Sequence, residues 1–281
     1  MTRAGGPLVL HAGGAHLTID PAQGGRFTSL VVRGQELLVT EGYGPIRWGC
    51  YPMVPFAGRI RDGRFTFRDR EHELPRNLPP HAIHGTVFER AWDVTGPGEL
   101  TIDLGETWPF AGRVVQRVDL HEDGLDATLT LLADEPMPVS MGWHPWFRRH
   151  LTGTVDRPAP PSSPVEIAFD ATVMLERGAD GLPTGQRSVP GPHPWDDCFT
   201  DLRSAPRVTW PDILELELTS DADYWVVYDE PVEGICVEPQ TEPPDFVNLA
   251  AAAGKEPPIA ARGQPATVSM AWRWRGLGQS A

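Results

Sequence analysis

Hydrophobic and polar residues alternate with a period of two along much of the chain. Leu125, Ala127, Leu129 and Leu131 are separated by Asp126, Thr128 and Thr130. Leu214, Leu216 and Leu218 enclose Glu215 and Glu217, and Val268, Met270, Trp272 and Trp274 interleave with Ser269, Ala271 and Arg273. Successive side chains of a strand point to opposite faces, so each stretch predicts a strand with one buried face. Shorter runs predict strands at 15–19, 65–67, 92–95, 100–104, 114–120, 165–169 and 224–228, and 234–237 reads as a fully buried one. No segment sustains a helical period; 250–253 predicts one short helical turn. Asp62-Gly63 and Asp123-Gly124 stand between apolar runs, where Asp-Gly favours a tight hairpin turn. Many short strands joined this way predict an all-β sandwich or barrel rather than a parallel α/β fold. The Pro- and Gly-rich segments 151–164 and 179–194 predict long loops. The strand pattern has the same character on either side of them, so residues 1–281 read as one domain.

Composition narrows the function classes. A net charge of −14 disfavours nucleic acid and anionic membrane as partners. No apolar run approaches the ~20 residues of a membrane helix, and the apolar patch 7–10 behind residues 1–6 is too short for a secretory core. The expected location is therefore cytoplasmic. Cys50, Cys198 and Cys236 form no C-x-x-C pair, and their odd number fits reduced thiols. The ten tryptophans are mostly core residues, with one or two available as flat platforms for a sugar ring.

Candidate chemistry gathers in five segments. Val237-Glu238-Pro239-Gln240-Thr241 places a carboxylate at the end of an apolar strand, where desolvation raises its pKa toward that of a general base. His144, within Trp143-His144-Pro145-Trp146-Phe147, is either a core histidine or a proton donor near neutral pH. His81 and His84 form an H-x-x-H, but flanking prolines and Gly85 argue against a helical zinc pair, and His81 is expected at the surface. His84, next to Gly85, is the better ligand-binding candidate. Arg59 can bind hydroxyl oxygens with its forked donors or make a structural ion pair. Asp197 can accept from vicinal hydroxyls or cap a turn. No phosphate-cradling loop, dinucleotide fingerprint, G-x-S-x-G or convincing metal set is present, so neither cofactor nor metal is expected.

Taken in order, these segments resemble the aldose 1-epimerase (galactose mutarotase-like) family over most of the chain. Pro55-Phe56-Ala57-Gly58-Arg59-Ile60, with Gly63 and Phe65, resembles its P-x-x-N-R-I-x-x-G-x-F segment. Ile83-His84-Gly85 is similar to its H-G, Trp108-Pro109-Phe110 to its Y-P-F, and His144-Pro145-Trp146-Phe147 to its H-P-Y-F. Asp197-Cys198-Phe199 is similar to its D-x-F, and Glu238-Pro239-Gln240-Thr241 to its E-x-Q-T. The resemblance implies a large antiparallel β-sandwich and anomer interconversion of an aldose. Glu238 would be the general base and His144 the general acid, while Arg59, His84 and Asp197 would bind the sugar. A bell-shaped pH profile is then expected, with Glu238 setting the acid limb and His144 the alkaline one. The alternatives are a non-catalytic sugar-binding module and, further off, a glycoside hydrolase using Asp197 and Glu238. Gly58 and Trp146 stand where the family carries Asn and Tyr, and Ala133-Asp134 where a Thr-Asn pair is common. Position 58 is therefore expected to open space beside the sugar and shift specificity. The expected partner is a small sugar, neutral or anionic, bound by a monomer or homodimer.

Overall fold

The computed structural model describes residues 6–42 and 44–278; residues 1–5, at the start of the N-terminal segment discussed above, lie outside them. Two large antiparallel sheets carry the fold. The main path of the larger, twelve-stranded sheet runs Leu8–Ala12, Ala15–Asp20, Arg26–Val32, Cys50–Met53, Gly142–Pro145, Gly234–Gln240, Tyr224–Tyr228, Asp196–Leu202, Ala171–Arg177 and Pro183–Ser188. The eight-stranded sheet runs Asp93–Gly96, Glu99–Asp103, Gly112–Leu120, Gly124–Ala133, Ala266–Gly276, Leu214–Ser220, Arg207–Trp210 and Glu166–Ala168. The single α-helix among the described residues is Phe246–Ala252. Among the described residues no helix is long and apolar enough to cross a membrane.

The period-two pattern explains how the sheets join. Leu125, Ala127, Leu129 and Leu131 are buried, as are Val268, Met270, Trp272 and Trp274, and the two sets pair across adjacent strands with Leu125 opposite Trp272. They share one hydrophobic cluster with Leu17, Ile19, Phe27 and Leu30 of the larger sheet. Trp272 locks the layers together, with its ring 6.4 Å from Phe27 and 5.1 Å from Phe147. At about 25 cal/mol per Å² of buried apolar surface, such layers are the main source of folding free energy.

Two expectations change. Segment 179–194 is not all loop: Pro183–Ser188 forms an edge strand paired with Ala171–Arg177. All but its first residue are exposed, so it lacks the apolar alternation that marks a strand in sequence. Asp123-Gly124 turns a hairpin as expected, but Asp62-Gly63 does not. Asp62 adopts φ 51° in a short 3₁₀ turn, and the flanking strands Arg59–Ile60 and Arg64–Phe67 pair elsewhere, with Ala82–Ile83 and Arg70–Glu73.

Candidate active site

The strand Gly234–Gln240 is buried at all seven positions. It continues two residues past Glu238, which therefore lies within the sheet rather than at a strand end. Val226 pairs with Glu238 on one flank, and Cys198 pairs with Val226, so the three form one row on one face. On the other flank Gly142 pairs with Gln240. A β-carbon at position 142 would stand 2.1 Å from the Pro239 carbonyl oxygen. Glycine thus lets the strand Gly142–Pro145, which carries His144, lie against the strand that carries Glu238.

His144 Nε2 stands 3.3 Å from Glu238 Oε1. Gln240 Nε2 donates to the other carboxylate oxygen at 3.2 Å. Burial, and next the negative charge of Asp196, pushes the Glu238 carboxyl well above the usual range. Burial, then the positive charges of Arg26 and Arg59, depresses the His144 imidazole to about 3. Both shifts favour the uncharged form, as a dry site requires.

The imidazole sits in a column of rings. His144 stacks on Tyr51 at 5.0 Å and on Trp146 at 5.6 Å, with only 8° between the His144 and Trp146 planes. Beneath Tyr51 the Arg26 guanidinium lies 4.4 Å from that ring and 4.4 Å from Trp48. Arg26 donates to the carbonyls of Pro45 and Trp48, fixing the loop whose residues Pro45, Ile46 and Arg47 form one cavity wall.

The cavity has a volume of about 410 Å³, and Arg59, His84, His144, Trp146, Asp196, Glu238 and Gln240 all line it. Arg59 is anchored by a 3.4 Å hydrogen bond from Nη1 to the Gly181 carbonyl. His84 is held at φ 59° by its backbone N–H to Gly58 O at 2.8 Å, and its ring meets His144 edge-on at 4.8 Å. Burial, then the neighbouring His144 and Arg59, lowers its pKa well below the ordinary histidine value. Asn77 receives the Ile83 N–H and donates to the Ile83 carbonyl, clamping the segment before His84.

A sequence profile of the aldose 1-epimerase family matches residues 8–272. The chain belongs to the aldose 1-epimerase family. Solved structures agree on the fold of this epimerase-family chain. A candidate aldose 1-epimerase of Escherichia coli superposes with a TM-score of 0.79 at 21% identity, covering 96% of this chain and 99% of that one. A galactose mutarotase-like protein of Clostridium acetobutylicum gives 0.79 at 18% identity, covering 95% and 94%. A galactose 1-epimerase of Lactobacillus acidophilus gives 0.75 at 15% identity, covering 96% and 93%. In sequence, the uncharacterised protein YphB of Escherichia coli is 31% identical over 105 residues; the match spans 35% of this chain and 36% of that protein.

Four of the five site residues expected from sequence meet in the epimerase-family cavity: Glu238, His144, Arg59 and His84. The fifth, Asp197, does not. Asp197 pairs with Val227, which pairs with Val237, and this row belongs to the opposite, core-packed face. Its neighbour Asp196 pairs with Tyr228 and reaches the cavity. Adjacent strand positions face opposite ways, so a one-residue error in the motif exchanges the faces. Burial raises the Asp196 pKa, against the positive charges of Arg59 and Arg177. Position 58 is also corrected. Gly58 has φ 64°, and a β-carbon there would meet Pro244 Cγ at 2.7 Å, so the missing side chain leaves no free space. His81 is buried rather than exposed, and its Nδ1 accepts the Asp62 backbone N–H at 3.1 Å.

Proposed function

We propose that this chain interconverts the α and β anomers of an aldose by acid–base ring opening and closure. The observation that carries this reading is the buried contact of 3.3 Å between Glu238 Oε1 and His144 Nε2 in the wall of a cavity lined by Arg59, His84 and Asp196. The pair acts with one shared proton. Burial favours leaving that proton on Glu238, so that both groups are neutral. Bound sugar hydroxyls and the Arg59 guanidinium solvate charge, and the proton can cross to His144. The carboxylate then removes the anomeric hydroxyl proton, C1 becomes a carbonyl as the bond from C1 to the ring oxygen breaks, and the imidazolium protonates that oxygen. Opening returns the pair to its neutral state. Rotation about C1–C2 and the reverse transfers give the other anomer, with no net change in protons or electrons. General acid–base help is worth ~10²–10⁴-fold per group.

Burial works against the order expected from sequence, because it lowers the His144 pKa and raises that of Glu238. The active one-proton form is lost below about 3 as His144 takes a second proton, and lost above the raised pKa as Glu238 releases the only one.

Charge favours a neutral sugar. Arg61 is held by Asp180 and Asp245, and Arg64 by Glu73. Arg47 pairs with Glu233, and Arg59 shares the cavity lining with Asp196, so with Glu238 neutral the lining carries no uncompensated cation for an anionic group. The test is anomer-exchange NMR across neutral and anionic aldoses, comparing the native chain with Glu238→Gln. Exchange no faster than with the Glu238→Gln protein for every sugar would sink the reading; binding without exchange would point to a sugar-binding module.

A further inference from the structure

Cys236 takes no part in the proton transfers, yet it lies beside the groups that do. It stands two residues before Glu238 on one strand, so both side chains share a face. One ligating atom each from His144, Cys236 and Glu238 lies within 4.8 Å of the other two. We propose that these three residues form a site for a soft divalent cation of the zinc class, whose binding plugs the cavity and switches the chain off.

The donor set is one imidazole nitrogen, one sulfur and one carboxylate oxygen, with the cavity open for a fourth ligand. Three protein ligands with an open position suit zinc. Bonds of about 2.0–2.3 Å in a tetrahedron place ligands roughly 3.3–3.8 Å apart. The nitrogen–oxygen separation of 3.3 Å already meets that, and the sulfur needs to close by about 1.3 Å at most. Gln240 holds Glu238 Oε2 and leaves Oε1 to the metal. Charge balance points the same way. Binding releases two protons to solvent, one from the Cys236 thiol and the one shared by Glu238 and His144, and thiolate, carboxylate and neutral imidazole then cancel the charge of a dication. A net-neutral cluster is what the apolar packing of Tyr51, Trp146 and Cys236 tolerates. The thiolate selects zinc or cadmium over magnesium or calcium. Occupancy withdraws Glu238 and His144 from proton transfer.

The experiment titrates the chelator-stripped full chain with cobalt(II), followed by absorbance, and separately with zinc(II), followed by anomer exchange. The expected result is one equivalent of cobalt with a thiolate charge-transfer band, and zinc inhibition that competes with sugar and is reversed by EDTA. Cys236→Ala should keep basal exchange, lose the band and resist zinc by about tenfold or more. Cys236→Ser, nearly isosteric, should do the same if the alanine variant folds poorly. Zinc inhibition equal to that of the native chain in both variants would overturn the proposal, as would cobalt binding without a thiolate band. Loss of exchange on exhaustive EDTA treatment would also overturn it, because the ion would then be a requirement rather than a plug. The cobalt spectrum reads the site independently of catalysis, so failure of the mutarotase reading leaves this result interpretable.

Discussion

In the proposed reaction Glu238 and His144 act as one unit, because each is buried where its charge is least welcome. Glu238→Gln keeps the shape and the contact with Gln240 but removes the proton acceptor. Its exchange rate should fall by about 10²–10⁴-fold, with an unchanged urea midpoint, measured by NMR and by denaturation. The pH profile offers a sharper check. Asp196 raises the Glu238 pKa, so Asp196→Asn should lower it and move the alkaline limb of kcat/KM to lower pH. A limb that stays fixed would detach that ionisation from Glu238. Arg26 depresses the His144 pKa from beneath Tyr51, so Arg26→Met should raise the acid limb. At this scale the sequence was informative where a residue type is rare and its neighbours distinctive, as at Glu238, His144, Arg59 and His84. It failed between Asp196 and Asp197, because two adjacent identical residues do not reveal which one faces the cavity until the pairing strand is known. Arg26 was illegible for a related reason: what gives it meaning is its place between two rings far along the chain.

Among elements, the segment around Arg59 is held by contacts that no local pattern announces. Asp245 accepts the Arg61 backbone N–H at 2.9 Å and ion-pairs with its side chain. Arg61 also pairs with Asp180, at the tip of the hairpin whose Gly181 carbonyl anchors Arg59. Arg61→Ala should free that tip and loosen Arg59, raising KM several-fold with little change in kcat. Equal losses in both would mean that the link also shapes the transition state. Gly58 belongs to the same segment. With φ 64° and Pro244 against it, Gly58→Asn should destabilise the fold by about 1–3 kcal/mol, read as a lower urea midpoint. A stable variant with altered sugar preference would restore the idea that position 58 is open. The strong strands were predictable because one face is apolar and the other polar. The exposed edge strand Pro183–Ser188 was not, since only Pro183 of it is buried and its composition is that of a loop.

At the scale of the whole molecule, the two sheets divide the labour. The cavity draws its described lining from the larger sheet, the small sheet of Arg59–Ile60 and Ala82–Ile83, and the loops beside them, and none from the strands of the eight-stranded sheet. Trp272→Ala should therefore cost about 3–5 kcal/mol of stability while the folded fraction keeps its KM, a pairing checked by urea denaturation and kinetics on one preparation. The all-β class and the sandwich were legible from alternation and turns. Strand order was not, because it depends on contacts between segments far apart. The position of Ala266–Gly276 follows from that order. This eleven-residue strand lies between Gly124–Ala133 and Leu214–Ser220. During synthesis both neighbours leave the ribosome first and wait with open edges, their hydrogen-bonding groups unpaired and their leucines uncovered. Until the segment arrives, the nascent chain carries two adhesive borders where the finished protein has a closed seam, and pairing with another chain along those borders is the hazard of its late arrival.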